Sequence, residues 1–366
     1  MKTMNKYRFL FAGGGTGGHI FPAIAVAEKI REFKPEAEIL FIGTKSKIEA
    51  DVVPKRGFRF ESIWIKGFAR KFNLENLLFP AKLFIAAMQS LLINMKFKPA
   101  VAVGSGGYVS GPAIWGASVL GARVILLEQN SYPGVTTRML EKRSNEIHLS
   151  FEDSKKYLQN KEKLFITGNP VRTSLTLIDR EEAINRFGFS SFKKTLLVLG
   201  GSLGAGTINK AVAAAQKILN DKGIQIIWQT GKNYYDSYKH MKNSDTWVSA
   251  FIDDMGAAYS ACDLCISRAG ATTIAEIANL GIPVMFVPSP NVAANHQYFN
   301  AKSLSDKNAA MVIKDEDLSS ELVTEAVSLI FDEQKLLSFS RNVKEFAKPD
   351  AAELIAKRAI ELVEKL

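Results

Sequence analysis

The sequence predicts an α/β protein made of two Rossmann-like domains, each a doubly wound parallel sheet. Three observations carry this. Short apolar runs alternate with helical stretches along the whole 366 residues, as parallel strands joined by crossover helices require. A strand, a glycine turn and a helix follow one another at 7–30, and the same succession returns at 195–219. A chain of this length is about two domains long.

The first strand is Tyr7 to Ala12, a short apolar run. Gly13-Gly14-Gly15-Thr16-Gly17-Gly18 follows, and Ala23 to Ile30 then carries apolar residues at helical spacing. Glycines on a strand-to-helix turn let backbone N–H groups approach an anion at the positive end of a helix. Further strands are expected at Glu38–Ile42, Ala100–Gly104, Arg123–Leu127, Glu146–Ser150 and Leu164–Thr167. Gly168-Asn169-Pro170-Val171-Arg172 breaks the pattern. A helix near 180–187 leads into Thr195–Leu199, the glycine turn 200–206 and a helix over Asn209–Leu219. Strands at Ile224–Gln229, Trp247–Phe251, Leu264–Ser267, Val284–Val287 and Ala310–Ile313 complete the second round. The expected domains are 1–167 and 168–348. A last helix in 349–366, after the turn at Pro349, packs back on the first domain.

Charge is divided unevenly. Residues 1–168 hold 25 Lys and Arg against 14 Asp and Glu, whereas residues 169–366 hold 22 against 23. The first half is therefore the part that meets something anionic. Cys262 and Cys265 are the only cysteines, a lone C-x-x-C on an apolar strand. They read as buried thiols, since a zinc site needs more ligands. The N-terminal apolar run is too short for a signal peptide, and no charge-free run is long enough to span a membrane.

Several stretches carry chemistry. The first glycine turn formally satisfies G-x-G-x-x-G, which alone is a weak signal. The acid that a dinucleotide fold places at the end of its second strand is missing, although Glu49 and Asp51 lie close in sequence and keep NAD binding open as an alternative. His19 follows the turn, where a histidine can accept a proton near neutral pH. Ser267 to Glu276 is another strand-to-helix turn, suited to a diphosphate; Glu276 there is either a ligand for the two hydroxyls of a ribose or a capping acid that complements the helix dipole. Asp315-Glu316-Asp317 has a D-x-D spacing but reads as a solvated turn and helix cap, so no metal is implied. The stretch 63–98 is apolar and basic at once. Lys66, Phe68, Arg70, Lys71, Phe79, Lys82 and Phe84, with Trp115 adjoining, form a patch that would rest on an anionic membrane surface. No nucleic-acid motif accompanies its aromatics.

Taken together the motifs resemble those of the MurG family of peptidoglycan N-acetylglucosaminyltransferases. The match covers nearly the whole chain: GGGTGGHIFPA at 13–23, GSGGYVSGP at 104–112, EQN at 128–130 and TGNPVR at 167–172. It continues with GGSLGA at 200–205, FIDDM at 251–255, SRAGATTIAE at 267–276 and HQYFNA at 296–301. The resemblance implies a GT-B fold, two Rossmann-like domains facing a cleft. It implies inverting transfer of GlcNAc from UDP-GlcNAc to the C4 hydroxyl of MurNAc in lipid I, giving lipid II, with no cofactor and no metal. That reaction serves cell-wall biogenesis, and with it cell shape and division, at the cytoplasmic face of the plasma membrane. A related enzyme acting on another acceptor is the alternative.

Carried over residue by residue, Arg172 and Ser202 match diphosphate contacts, the Ile252 backbone matches the uracil contact, and Glu276 matches the ribose acid. Ala271, Thr272 and Thr273 match the diphosphate loop, continued by Ile274 and Ala275. Gln297 matches a contact to the GlcNAc hydroxyls. Thr16, Gly17, Gly18 and Asn130 lie on the acceptor side and close on the donor, and His19 matches the proposed base. The chain departs from its relatives at Leu203 and His296, where glutamine is common.

Overall fold

The computed structural model describes residues 6–65, 79–171, 175–201 and 203–366. Two compact units divide the chain. One comprises 1–172 with 348–366, the other 173–347.

The first unit is built on seven parallel strands: β1 (Arg8–Ala12), β2 (Glu38–Gly43), β3 (Arg59–Ser62), β4 (Val101–Gly104), β5 (Arg123–Glu128), β6 (Glu146–Leu149) and β7 (Leu164–Ile166). Their order is β3-β2-β1-β4-β5-β6-β7. Leu10 stands opposite both Leu40 and Ala102 in register. Alternation along β1 sends Phe9 and Phe11 to one face and Leu10 and Ala12 to the other. Phe9 and Phe11 pack with Ile20, Ile24 and Ala27 of the helix Gly17–Phe33. Leu10 and Ala12 pack with Ala86, Ala113 and Ile114. Both faces are covered, which is why the strands read as unbroken apolar runs.

The last helix, Ala351–Glu364, joins this unit. Its Ile355, Ala356, Ala359 and Val363 enter the same core as Phe9. Each aliphatic side chain of Ile or Val size so buried contributes about 2 kcal/mol. Arg358 adds a two-pronged ion pair, donating to both oxygens of Glu146 at 2.7 Å while its guanidinium lies 3.7 Å from the Phe165 ring centroid.

The second unit has six parallel strands: β8 (Lys194–Leu199), β9 (Ile224–Gln229), β10 (Thr246–Ser249), β11 (Leu264–Ser267), β12 (Val284–Phe286) and β13 (Met311–Val312). Their order is β10-β9-β8-β11-β12-β13. Trp228 is fully buried, with its indole N–H satisfied by Asn209 Oδ1 at 3.0 Å. Cys265 lies on β11 and Cys262 just before it; burial pushes both thiols up, so neither is a reactive thiolate at neutral pH.

One strand escapes the sequence reading. β3 is Arg59-Phe60-Glu61-Ser62, half exposed at the sheet edge. Its alternating charges hide it among the basic residues that follow. In each unit the strand order reverses once, between β1 and β4 and between β8 and β11. At such a switch point the loops leaving neighbouring strands run in opposite directions, and ligands bind at that crevice.

Candidate functional site

The first switch point brings together the glycine turn after β1 and the loop after β4. His19 sits in the first turn of the helix Gly17–Phe33, half-buried. Its Nδ1 lies 2.9 Å from the Ser105 carbonyl and 3.3 Å from Gln129 Oε1. Gln129 Nε2 donates to the same carbonyl at 3.0 Å, which fixes the amide with its oxygen toward the ring. Both neighbours of Nδ1 are acceptors, so Nδ1 carries the proton and Nε2 carries the lone pair. Burial holds the imidazole below its ordinary value of 6.5, against the opposing pull of Gln129, Ser105 and Glu49. The ring is thus a neutral base with a fixed tautomer. Gly106, at φ +97°, lets it lie this close, because a Cβ there would stand 2.8 Å from Nδ1.

Part of the glycine turn rests on a carboxylate of the protein. Glu49 is fully buried beneath it and accepts hydrogen bonds from Gly15 N–H (3.1 Å), Thr44 N–H (3.1 Å) and Thr44 Oγ1 (2.8 Å). A Cβ on Gly14 would lie 2.5 Å from Glu49 Oε1. That glycine makes room for a carboxylate of the protein. Glu49 therefore props the loop, and buried there it cannot be the ribose acid of a dinucleotide site. The exposed part of the turn is Thr16 and Gly18; Thr16 is the N-cap and makes no side-chain cap bond.

Asn130 stands at the end of β5 beside this site. Glu128 ties down its loop by accepting from Asn130 N–H (3.0 Å), Gly134 N–H (2.9 Å) and Thr137 Oγ1 (2.6 Å). Burial raises the Glu128 carboxyl, and these donors partly offset the shift. Ser105, Glu49, Glu128 and Gln129 were not among the sequence-predicted site residues. Their signals are motif and position: Ser105 follows β4 within GSGGYVSGP, Glu128 and Gln129 stand at the end of β5 within EQN, and Glu49 lies just after β2.

At the second switch point the helix Ala271–Leu280 begins after Gly270. Its first intrahelical N–H is that of Ile274, which donates to the Gly270 carbonyl at 2.9 Å. The N–H groups of Ala271, Thr272 and Thr273 point out of the helix end, toward an anion. Ile274 is buried in the core, and Ala275 is half-buried. Glu276 is nearly buried and accepts from Tyr259 Oη at 3.3 Å. Asn300 Nδ2 donates to the Ala269 carbonyl at 3.4 Å behind the turn.

Gln229, at the end of β9, links the glycine turn to the loop after β10. Its carbonyl accepts from Gly200 N–H (3.3 Å), and its Oε1 accepts from Ile252 N–H (2.9 Å). Gln297 Oε1 accepts from Ser289 N–H at 2.9 Å, which leaves its NH₂ as donor.

Asp315 departs from its expected place in a solvated turn. It is mostly buried, ion-paired with Arg268 and hydrogen-bonded by Thr207 Oγ1 at 2.9 Å. Glu316 and Asp317 are exposed, and Asp317 takes the N-cap position of the helix Leu318–Phe331. A cavity of about 610 Å³ beside them is lined in part by Thr207, Lys210, Tyr298, Lys314 and Asp315.

Lys66, Phe68, Arg70, Lys71, Arg172 and Ser202 lie outside the described residues, and Phe79 is described only as the first residue of the helix Phe79–Phe97. This helix is packed inside out. Toward the helix Ser110–Val119 it presents Ala86, Ser90 and Asn94, all fully buried, with Asn94 Nδ2 donating to the Ser90 and Ala113 carbonyls. Outward it presents Leu83, Phe84, Ile85, Met88, Leu92 and Met95, with Phe84 67% exposed. Trp64 is exposed beside it, 5.6 Å from Lys82 Nζ. Trp115 is half-buried against the core. No described helix is long and apolar enough to cross a membrane.

Comparison with known proteins places these features in context. Residues 9–149 match the glycosyltransferase family 28 N-terminal domain, and residues 195–355 match its C-terminal domain. A protein of Flavobacterium psychrophilum is 42% identical over 364 residues, covering 99% of both chains. A protein of Parabacteroides distasonis is 43% identical over 372 residues, covering 99% of this chain and 100% of the relative. Both are named UDP-N-acetylglucosamine–N-acetylmuramyl-(pentapeptide) pyrophosphoryl-undecaprenol N-acetylglucosamine transferase. The crystal structure of MurG from Acinetobacter baumannii superposes with a TM-score of 0.77 at 25% identity, covering 98% of this chain and 99% of that one.

Proposed function

The chain belongs to glycosyltransferase family 28, among its N-acetylglucosaminyltransferases of peptidoglycan synthesis, and on that premise we propose how its residues carry the reaction. The donor is UDP-GlcNAc and the acceptor is lipid I. The second unit holds the donor. The uracil lies against the Ile252 carbonyl, Glu276 receives the ribose hydroxyls, and the helix start at Ala271–Thr273 receives the diphosphate. Gln297 offers its NH₂ to the sugar hydroxyls. Arg172 and Ser202 complete the diphosphate site.

The first unit supplies the base. The C4 hydroxyl of MurNAc gives its proton to His19 Nε2 as its oxygen attacks the anomeric carbon of GlcNAc. The bond from that carbon to the β-phosphate breaks, the configuration inverts, and UDP departs with the charge. A helix start that receives the diphosphate stabilises this charge as it develops, which is how such a site lowers the barrier. Thr16, Gly18 and Asn130 border the base and suit an acceptor wall. Gly15 N–H is taken by Glu49 and is not among the donors open to the acceptor diphosphate.

The observation that carries the assignment of His19 is its Nδ1 held between two acceptors. That arrangement leaves the Nε2 lone pair as the proton acceptor. His19→Ala should lower transfer about 10³-fold, within the range for general base catalysis, while UDP-GlcNAc affinity stays within about twofold. Normal turnover in that variant refutes the assignment.

The inside-out helix supports peripheral attachment to an anionic membrane at its cytoplasmic face. An apolar outer face with basic residues at its border is the pattern of an interfacial helix. It would bring the enzyme to a lipid-linked acceptor.

A further inference from the structure

Arg268 follows β11 directly, and its side chain is only 15% exposed. It donates to the Val287 carbonyl just past β12 at 3.0 Å, and to Thr207 Oγ1 at 3.2 Å. It also donates to Asp315, which lies after β13. Thr207 belongs to the first turn of the helix Gly206–Asp221, which follows β8, and its hydroxyl lies 2.9 Å from both Asp315 oxygens. One guanidinium therefore gathers segments at the carboxyl ends of four strands, β8, β11, β12 and β13. Those ends are where an open parallel sheet binds its ligand. The turn leading into Thr207 contains Gly201 and Gly204 at φ +81° and +91°. Glycine backbone is permissive, so the turn depends on the anchors at its ends. The Arg268 charge is met by Asp315, which leaves it poorly suited to be a phosphate ligand itself.

We propose that Arg268 is a positioning residue for the donor site. It acts through Asp315 and Thr207 to fix the start of the helix Gly206–Asp221 and Gly204 just before it, so that they are preset for the donor diphosphate. This rests on the reading that the second unit binds UDP-GlcNAc.

The test uses full-length protein, with UDP titrated by calorimetry and KM measured for each substrate. Wild-type protein must bind UDP; if it does not, the donor-site reading fails, whatever the variants do. Given that binding, Asp315→Asn and Thr207→Val should each weaken UDP about tenfold, the scale of one charge-assisted hydrogen bond. Donor KM should rise in parallel while KM for lipid I is unchanged, and Thr207→Ser should restore UDP affinity to within about twofold. Loss of stability alone would not move one KM and spare the other. Unchanged or tighter UDP binding in Asp315→Asn overturns the proposal, because a released Arg268 would then be acting as a direct ligand. Should Asp315→Asn not fold, Thr207→Val decides, and unchanged affinity there is equally contrary.

Discussion

Gly106→Ala is the most revealing single change near the base. The new Cβ would stand 2.8 Å from His19 Nδ1 and 2.9 Å from Cε1. Ordinary contact begins near 3.4 Å, so the ring must retreat by roughly half an ångström or more. Alanine at φ +97° also strains the backbone by about 1–3 kcal/mol. The retreat pulls Nδ1 from the neighbouring Ser105 carbonyl, the contact that holds the tautomer. Misplacing a catalytic group by about 1 Å costs up to 10²-fold in rate, or about 2.7 kcal/mol of barrier. The expected variant is therefore about 2 kcal/mol less stable in urea unfolding and about 100-fold slower in transfer to lipid I. UDP affinity should be unchanged, because Ile252, Glu276 and the helix start at Ala271–Thr273 belong to the other unit. Adding His19→Ala to Gly106→Ala should lower the rate less than His19→Ala does alone, since both changes remove one function. A variant that loses stability yet transfers GlcNAc at the wild-type rate would refute the claim that ring placement matters.

Two further changes probe the frame around the site. Arg358→Ala should cost about 3 kcal/mol in chemical unfolding, because it strips the main partner from a mostly buried carboxylate. Burial would raise Glu146, but hydrogen bonds from His148 and Arg358 bring it down to about 2 from the usual 4.5. The pair's contribution is thus complete above about pH 4.5 and lost as pH falls toward 2. The gap between wild type and variant must narrow over that range, and a gap constant from pH 6 to 3 would contradict this. On the outer helix face, Phe84→Ser with Leu92→Ser should weaken sedimentation with anionic vesicles severalfold, and so should charge reversal at Lys66, Arg70, Lys71 and Lys82; unchanged sedimentation would count against membrane attachment.

The residues that were legible in the sequence are those whose signal is local. The alternation of apolar runs announced both parallel sheets, and only β3 was hidden, by Arg59 and Glu61 at an exposed edge. His19 and the helix start at Ala271 announced themselves through neighbouring glycines. What stayed hidden depends on contacts between distant parts of the chain. Gln129 reaches His19 across 110 positions, and Arg268 reaches Asp315 across 47. The glycine turn carries a second, hidden signal. Gly14 is small so that Glu49 can fit beneath it. Composition alone cannot tell whether a glycine makes room for a ligand or for the protein itself.

The most direct measurement is transfer by the purified wild-type protein, with labelled UDP-GlcNAc and lipid I, followed by identification of the product and its anomeric configuration. The account predicts lipid II carrying a β-linked GlcNAc at C4 of MurNAc, with one UDP released per sugar moved. Release of free GlcNAc, retention of the donor's configuration, or equal transfer to an unrelated acceptor would contradict it.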